Sequence, residues 1–384
     1  MNVVAKSSPP SPSYLLFLKF FILAYVFIYF ALPKSFDVDY FGAYREVSYS
    51  LGFWFQQRYL LVALALIFLI VSVFHIGVTR RLAILMVIGV AVSTAQLYFN
   101  QYFGYYVVIG GAASAYVVRS IDVVKLGKKE WVFVFCCLLL YASQYLFYRI
   151  NGRITASFLD PNISGYYFFL SYLLLRGLGS KLLNACLITI AIIGLSRNLI
   201  LAIVVFELIS FLSKKLSLAN IFLRVKGWWL VLGSILLVVW ISFFYVNNVD
   251  FDEGVGGGED RLTTVADSSN YLRFMANVEF LERVSEGEFW LVGNGSKMDE
   301  KSTHRPHNAF FRASYRYGIL LAFIGVLFFL DVLKVFQSQY ALIFSLFAYY
   351  CLLNDFITGN EIVLLSIVLG LKYKMGVKKN EGVD

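Results

Sequence analysis

Long apolar runs recur along nearly the whole chain. Several are of a length that, coiled as a helix at about 1.5 Å per residue, crosses a hydrocarbon layer of about 30 Å. Hydrophobic residues make up 59% of the 384 positions and charged residues 15%, and the mean hydropathy is +0.72. A water-soluble domain has nowhere to hide that much apolar surface. In lipid every backbone N–H and C=O must pair within the protein, so the runs predict helices rather than isolated strands. Twelve candidate spans are read, at roughly 14–32, 59–78, 82–99, 103–118, 131–148, 163–178, 182–195, 198–212, 228–245, 318–334, 339–353 and 361–373. The expected fold is an all-α integral membrane protein with a single transmembrane domain over residues 1–384.

Lys and Arg in short connections set the orientation, because basic flanks stay on the cytoplasmic side. With the N-terminus inside, that side collects Arg80 and Arg81, Arg119 to Lys129, Arg176 to Lys181, Lys214 to Lys226, Lys334, and the tail from Lys372 to Lys379. The net charge of +9 is then a topology signal, and nucleic acid is not needed as a partner to explain it. Both termini are expected in the cytoplasm, the run at 14–32 as an uncleaved first span, and the long polar loop at 247–307 on the outer face. Cys136, Cys137, Cys186 and Cys351 fall inside predicted spans, where they read as small packing residues rather than as a disulfide or zinc framework.

The loop opens on an acidic, glycine-rich stretch from Asp250 to Asp260 that lacks the Lys-Ser/Thr of a phosphate-binding loop. From Ser268 the spacing predicts an amphipathic helix, with Tyr271, Leu272, Met275, Val278, Leu281 and Val284 on one face and Arg273, Asn277, Glu279 and Glu282 on others. Such a helix lies on the bundle or on the membrane surface. Trp290 to Gly295 then turns the chain, and Thr303-His304-Arg305-Pro306-His307-Asn308 returns it to the next span. Pro306 stiffens the backbone ahead of His307.

Arg197, Arg273, Arg305 and His307 all fall on the predicted outer face. Guanidinium forks suit phosphate oxygens, and a neutral imidazole takes a proton from an attacking hydroxyl, so the set points to glycosyl transfer with a lipid diphosphate as leaving group. Plainer readings stand beside it. Arg197, between two apolar runs, also suits an interfacial anchor, and Asp160-Pro161-Asn162 also suits a helix start. His304 and His307 with Asp299 and Glu300 fit no common zinc spacing. His75, beside Gly77, reads as a packing or interfacial residue.

The ordered set of segments resembles the O-antigen polymerase and ligase superfamily, bacterial membrane glycosyltransferases that use polyprenyl-diphosphate-linked glycans. The resemblance runs from about Phe158 to Leu330 and rests on five elements. They are Phe158-Leu159-Asp160-Pro161-Asn162, Gly194-Leu195-Ser196-Arg197, Asn270-Tyr271-Leu272-Arg273, Leu291-Val292-Gly293-Asn294-Gly295, and His307-Asn308-Ala309-Phe310-Phe311 followed by Tyr317-Gly318. It implies a membrane glycosyltransferase architecture of the GT-C-like kind in the bacterial inner membrane, needing no metal and no cofactor. By position, His307 would be the catalytic base, and Arg197 and Arg273 would hold the diphosphate. Arg305, Asn308 and Asn162 are further candidate contacts to substrate. The acidic stretch at 253–260 matches no part of the family pattern.

The leading expectation is a polymerase that joins lipid-linked oligosaccharide repeat units into an O-antigen, capsule or exopolysaccharide. A flippase and a chain-length regulator are possible partners. A ligase that delivers the glycan to a lipid A core is the alternative. A transporter is the third reading, disfavoured because the candidate groups gather on one face, with Glu207 the one buried acid noted within the spans.

Overall fold

The computed structural model describes residues 11–32, 43–100, 104–147, 149–150, 153–154, 161–176, 181–193, 196–215, 225–248, 268–295, 306, 308–336, 339–350 and 359–381. These residues are helical throughout, apart from short connections and a two-residue antiparallel pair, β1 (Arg149–Ile150) and β2 (Arg153–Ile154). Five helices among them are long and apolar enough to cross a membrane: Pro12–Ala31, Tyr59–Ile76, Arg80–Phe99, Tyr105–Val123 and Gly227–Asn248. The protein is therefore an α-helical membrane protein. These five coincide with five of the twelve expected spans. Other apolar runs form shorter helices, such as Lys181–Ile193 with 13 residues, which at about 1.5 Å per residue reaches only about 20 Å.

Two compact units make up the chain. The first comprises Met1–Ile88, Val108–Ile190 and Gly359–Asp384. It contains α1 (Pro12–Val26), α2 (Ala43–Ile76), most of α4 (Tyr105–Ser120), α5 (Lys128–Phe147), α6 (Pro161–Leu175) and α14 (Asn360–Glu381). Ser11 caps α1 by accepting from the Tyr14 N–H, and Pro12 supplies the fixed φ of a first helical residue. The helix then loosens into one π-type turn over Phe27–Ala31. Helix α2 begins well ahead of the apolar run at 59–78, because the stretch from Ala43 continues into the same helix.

Buried tyrosines knit this unit together. The Tyr14 hydroxyl lies 3.0 Å from Ser72 Oγ and 3.2 Å from Ser120 Oγ, joining α1, α2 and α4. Tyr25 donates to the Leu61 carbonyl, and Tyr141 to that of Ser164. A phenol buried among apolar helices needs such a partner, and the backbone or a serine provides one. His75, in the last turn of α2, is exposed and stacks 5.3 Å from Tyr14 with its Nδ1 2.9 Å from the Val71 carbonyl. Lys19, within apolar α1, meets Glu130 of α5 at 3.0 Å.

The second unit comprises Gly89–Val107 and Ala191–Thr358. It contains the latter half of α3 (Arg80–Asn100), α8 (Arg197–Lys215), α9 (Gly227–Asn248), α10 (Ser268–Ser285), α11 (Ala309–Tyr317), α12 (Ile319–Val335) and α13 (Tyr340–Tyr350). The short helix α7 (Lys181–Ile193) straddles the division. Four of the five segments that carry the family resemblance lie in this unit; Asn162, on α6, lies in the other.

Candidate functional site: a reversed helix pair around Gly318

Helices α11 and α12 are contiguous in sequence yet do not run on as one rod. Phe347 of α13 lies 6.4 Å from Phe310 and 5.8 Å from Phe329, ring to ring. A continuous helix would hold Phe310 and Phe329 about 28 Å apart at 1.5 Å per residue. The chain therefore folds back between them, and the reversal falls at Gly318. Its φ of +78° and ψ of 154° form a combination essentially restricted to glycine.

Breaking a helix frees backbone groups, and in an apolar setting each must find a new partner. The carbonyls of Tyr315 and Arg316 accept from the N–H groups of Asn294 and Gly295, at 2.7 and 3.0 Å. The N–H groups of Ile319 and Leu320 donate to the carbonyls of Phe289 and Trp290, at 2.7 and 3.2 Å. One non-helical segment, 289–295, thus pairs with both sides of the break. This explains the glycines there. A Cβ on Gly293 would sit 2.5 Å from Arg316 C and Gly318 N, and one on Gly318 would sit 2.7 Å from the Leu291 carbonyl oxygen.

Asn308 starts α11. Its Oδ1 accepts from the N–H groups of Phe310 and Phe311 at 2.9 and 3.2 Å, and the residue is fully buried. The side-chain oxygen of Asn308 thus caps α11. Asn308→Ala is expected to cost about 1–2 kcal/mol, seen as a lower melting temperature of the purified protein. Asn308→Asp, which keeps the accepting oxygen, should recover most of that loss. Equal melting of all three proteins would remove the cap from the account.

The loop helix α10 docks on the C-terminal half of α9 in antiparallel register. Tyr245 meets Phe274 at 4.8 Å, Asn277 donates to Ser242 at 3.2 Å, and Phe280 packs with Val238. Phe280 also lies 5.5 Å from Phe289 and 5.4 Å from Phe311, and Phe289 lies 5.3 Å from Tyr315. These aromatic pairs join α9, α10, the 289–295 segment and α11 into one core. Arg283 closes the far end of α10, bonded to Glu288 at 2.7 Å and lying 4.7 Å over the Phe289 ring.

The buried face is shifted from the expected one. Val278 is buried and Leu281 and Val284 pack against the core as expected, but Ala276, Asn277 and Phe280 are buried too, while Leu272 is 40% exposed. Hydropathy spacing put Asn277 on a polar face; its bond to a serine of α9 turns it inward. Of the two alternatives for α10, the bundle is what it packs on.

Among the expected site residues, Arg273 lies on α10, half-buried, and Asn308 at the start of α11. Arg197 is the first residue of α8 and Asn162 lies in the first turn of α6, but the side chains of both are outside the described residues, as are His304, Arg305 and His307 altogether. Beside Arg197, Ser196 is fully buried, with its Oγ lacking a hydrogen-bond partner among the described residues. The structure also brings forward residues that the sequence reading passed over. Arg312 and Arg316 lie four apart on α11, a spacing that puts both on one side, and both are half-buried. That i, i+4 spacing was legible in the sequence. Glu207 of α8 is only half-buried and is matched by Asp331 of α12, also half-buried. No protein-family model matches the chain, and no curated protein or solved structure matches it either.

Proposed function

We propose that this protein is a metal-independent membrane glycosyltransferase that polymerises lipid-linked oligosaccharide repeat units. In this reading the chain crosses the bacterial inner membrane twelve times, with both termini in the cytoplasm and the site on the outer face. One observation carries it. Segments far apart in sequence that were singled out for their chemistry, at 196–197, 271–273, 291–295, 308–311 and 317–318, fall in one compact unit. Those at 291–295, 308–311 and 317–318 meet around the Gly318 break. Discontinuous helices with fully paired backbone are a common way to build polar sites among membrane helices.

The proposed reaction is a displacement at the anomeric carbon of the growing glycan. His307 takes the proton of an acceptor sugar hydroxyl, and that oxygen forms the new glycosidic bond. The bond to the diphosphate breaks, and the polyprenyl diphosphate leaves with the electron pair. Arg197 and Arg273 stabilise the charge that develops on it. Arg312 and Arg316 add positive charge on the helix that follows His307.

Deletion followed by gel analysis of surface glycan and lipid-linked intermediates tests the proposal. Loss of long chains, with single repeat units still reaching the core, is the expected result. Long glycan accumulating on the carrier lipid would assign the ligase step instead, and an unchanged glycan profile would overturn both.

A further inference from the structure

We propose that Gln96, near the end of apolar helix α3, is a positioning residue for the transfer site, acting through the carbonyl of Arg316; the inference rests on the glycosyltransferase reading above. Gln96 is fully buried, and its Nε2 donates to the Arg316 carbonyl at 3.1 Å. That carbonyl also accepts from Gly295 at 3.0 Å, so both of its lone pairs are filled. It lies two residues before the reversal at Gly318.

The other end of the same amide shows what the glutamine is for. Gln96 Oε1 is buried with no hydrogen-bond partner among the described residues, as is Ser93 Oγ one turn earlier, and both face the space beside Gly104. A Cβ on Gly104 would lie 2.5 Å from Gln96 Oε1 and 2.8 Å from Leu321 Cδ2. Burying an unpaired amide oxygen among apolar helices is unfavourable, and a leucine or methionine would fill the position without it. What glutamine alone provides here is a donor for Arg316.

A donor at that point sets the angle of α11. The helix has nine residues and is about 13 Å long, so a tilt of about 5° about Gly318 moves its first residue by about 1 Å. A displacement of that size at a reacting centre is enough to cost about 100-fold in rate. The N-terminal end of α11 follows His307 directly in sequence, and Arg312 and Arg316 ride on the same helix.

The test uses the full chain, purified and assayed with polyprenyl-diphosphate-linked repeat units extracted from cells that lack the gene. Hydrogen exchange of the amides in 289–295 and 315–320 is measured in parallel, corrected for the intrinsic pH dependence of exchange. Gln96→Leu should raise exchange at this junction while leaving α1 protected, and should lower kcat about 10- to 100-fold with KM for the lipid-linked donor unchanged. Gln96→Glu is the second variant. Protonated, its carboxyl donates to the Arg316 carbonyl; ionised, it has nothing to donate. Transfer and junction protection should therefore both be present at low pH and be lost as pH rises, in a range where the wild type changes in neither respect.

Unchanged junction exchange in Gln96→Leu, or Gln96→Glu insensitive to pH, would overturn the positioning role whatever the activity. Raised exchange with an undiminished kcat would overturn its link to transfer. A wild-type protein that transfers nothing would overturn the glycosyltransferase reading, and the exchange data would still decide the role of Gln96 at the junction.

Discussion

Gly318→Val is expected to cost about 3–5 kcal/mol, enough to deplete the folded protein from the membrane. Two effects act together. A β-branched residue cannot adopt φ +78° with ψ 154° without severe strain. Its Cβ would also sit 2.7 Å from the Leu291 carbonyl oxygen, which is backbone fixed by the neighbouring hydrogen bonds and unable to move aside. Gly293→Ala should show a smaller loss of the same origin, since its Cβ meets backbone atoms of Arg316 and Gly318. Gly233→Ala is the control: a helical glycine of α9 with nothing within 4 Å of its Cβ, where alanine is expected to be neutral or mildly stabilising. Membrane levels and melting temperature of the three variants check the order. A Gly318→Val protein as stable as Gly233→Ala would remove the reversed helix pair from the account.

His307→Ala is expected to lower glycan extension at least about 100-fold while leaving membrane level and melting temperature unchanged, because a general base contributes about 10²–10⁴ to rate and little to folding. The contrast with its neighbour is the useful part. Asn308→Ala should lower stability through the lost cap and activity only in proportion, whereas His307→Ala should lower activity alone. Chain-length profiles of surface glycan, read beside immunoblots of the membrane fraction, separate the two. Retained extension in His307→Ala would remove the base assignment.

Much of the site's vocabulary was legible in the sequence, and its grammar was not. The helix from Ser268 was readable from spacing, since one turn recurs every 3.6 residues and the apolar positions from Tyr271 to Val284 follow it. Which face it buries was not. Asn277 counts as polar on every scale, yet it is buried because Ser242 of α9 waits opposite. Asn308 stood out beside His307 as a candidate contact to substrate; that its oxygen also holds the first turn of α11 depends on where that helix begins. Gln96 offered no signal at all. A lone glutamine near the end of an apolar helix looks like an end marker until Arg316, 220 positions along, is found against it.

The sequence by itself determined that this is a helical membrane protein, where its longest apolar helices lie, and that one polar loop carries an amphipathic helix. These are properties of consecutive residues, set by the apolar run length that a bilayer requires and by the helical repeat. Only the tertiary structure decided that the apparent span at 318–334 is preceded by a helix folded back on it. Only there does 289–295 satisfy the groups freed at Gly318, with Gln96 of α3 adding the last donor. The reason is that a broken helix is tolerable in an apolar environment only when its orphaned N–H and C=O groups find partners, and those partners lie elsewhere in the chain.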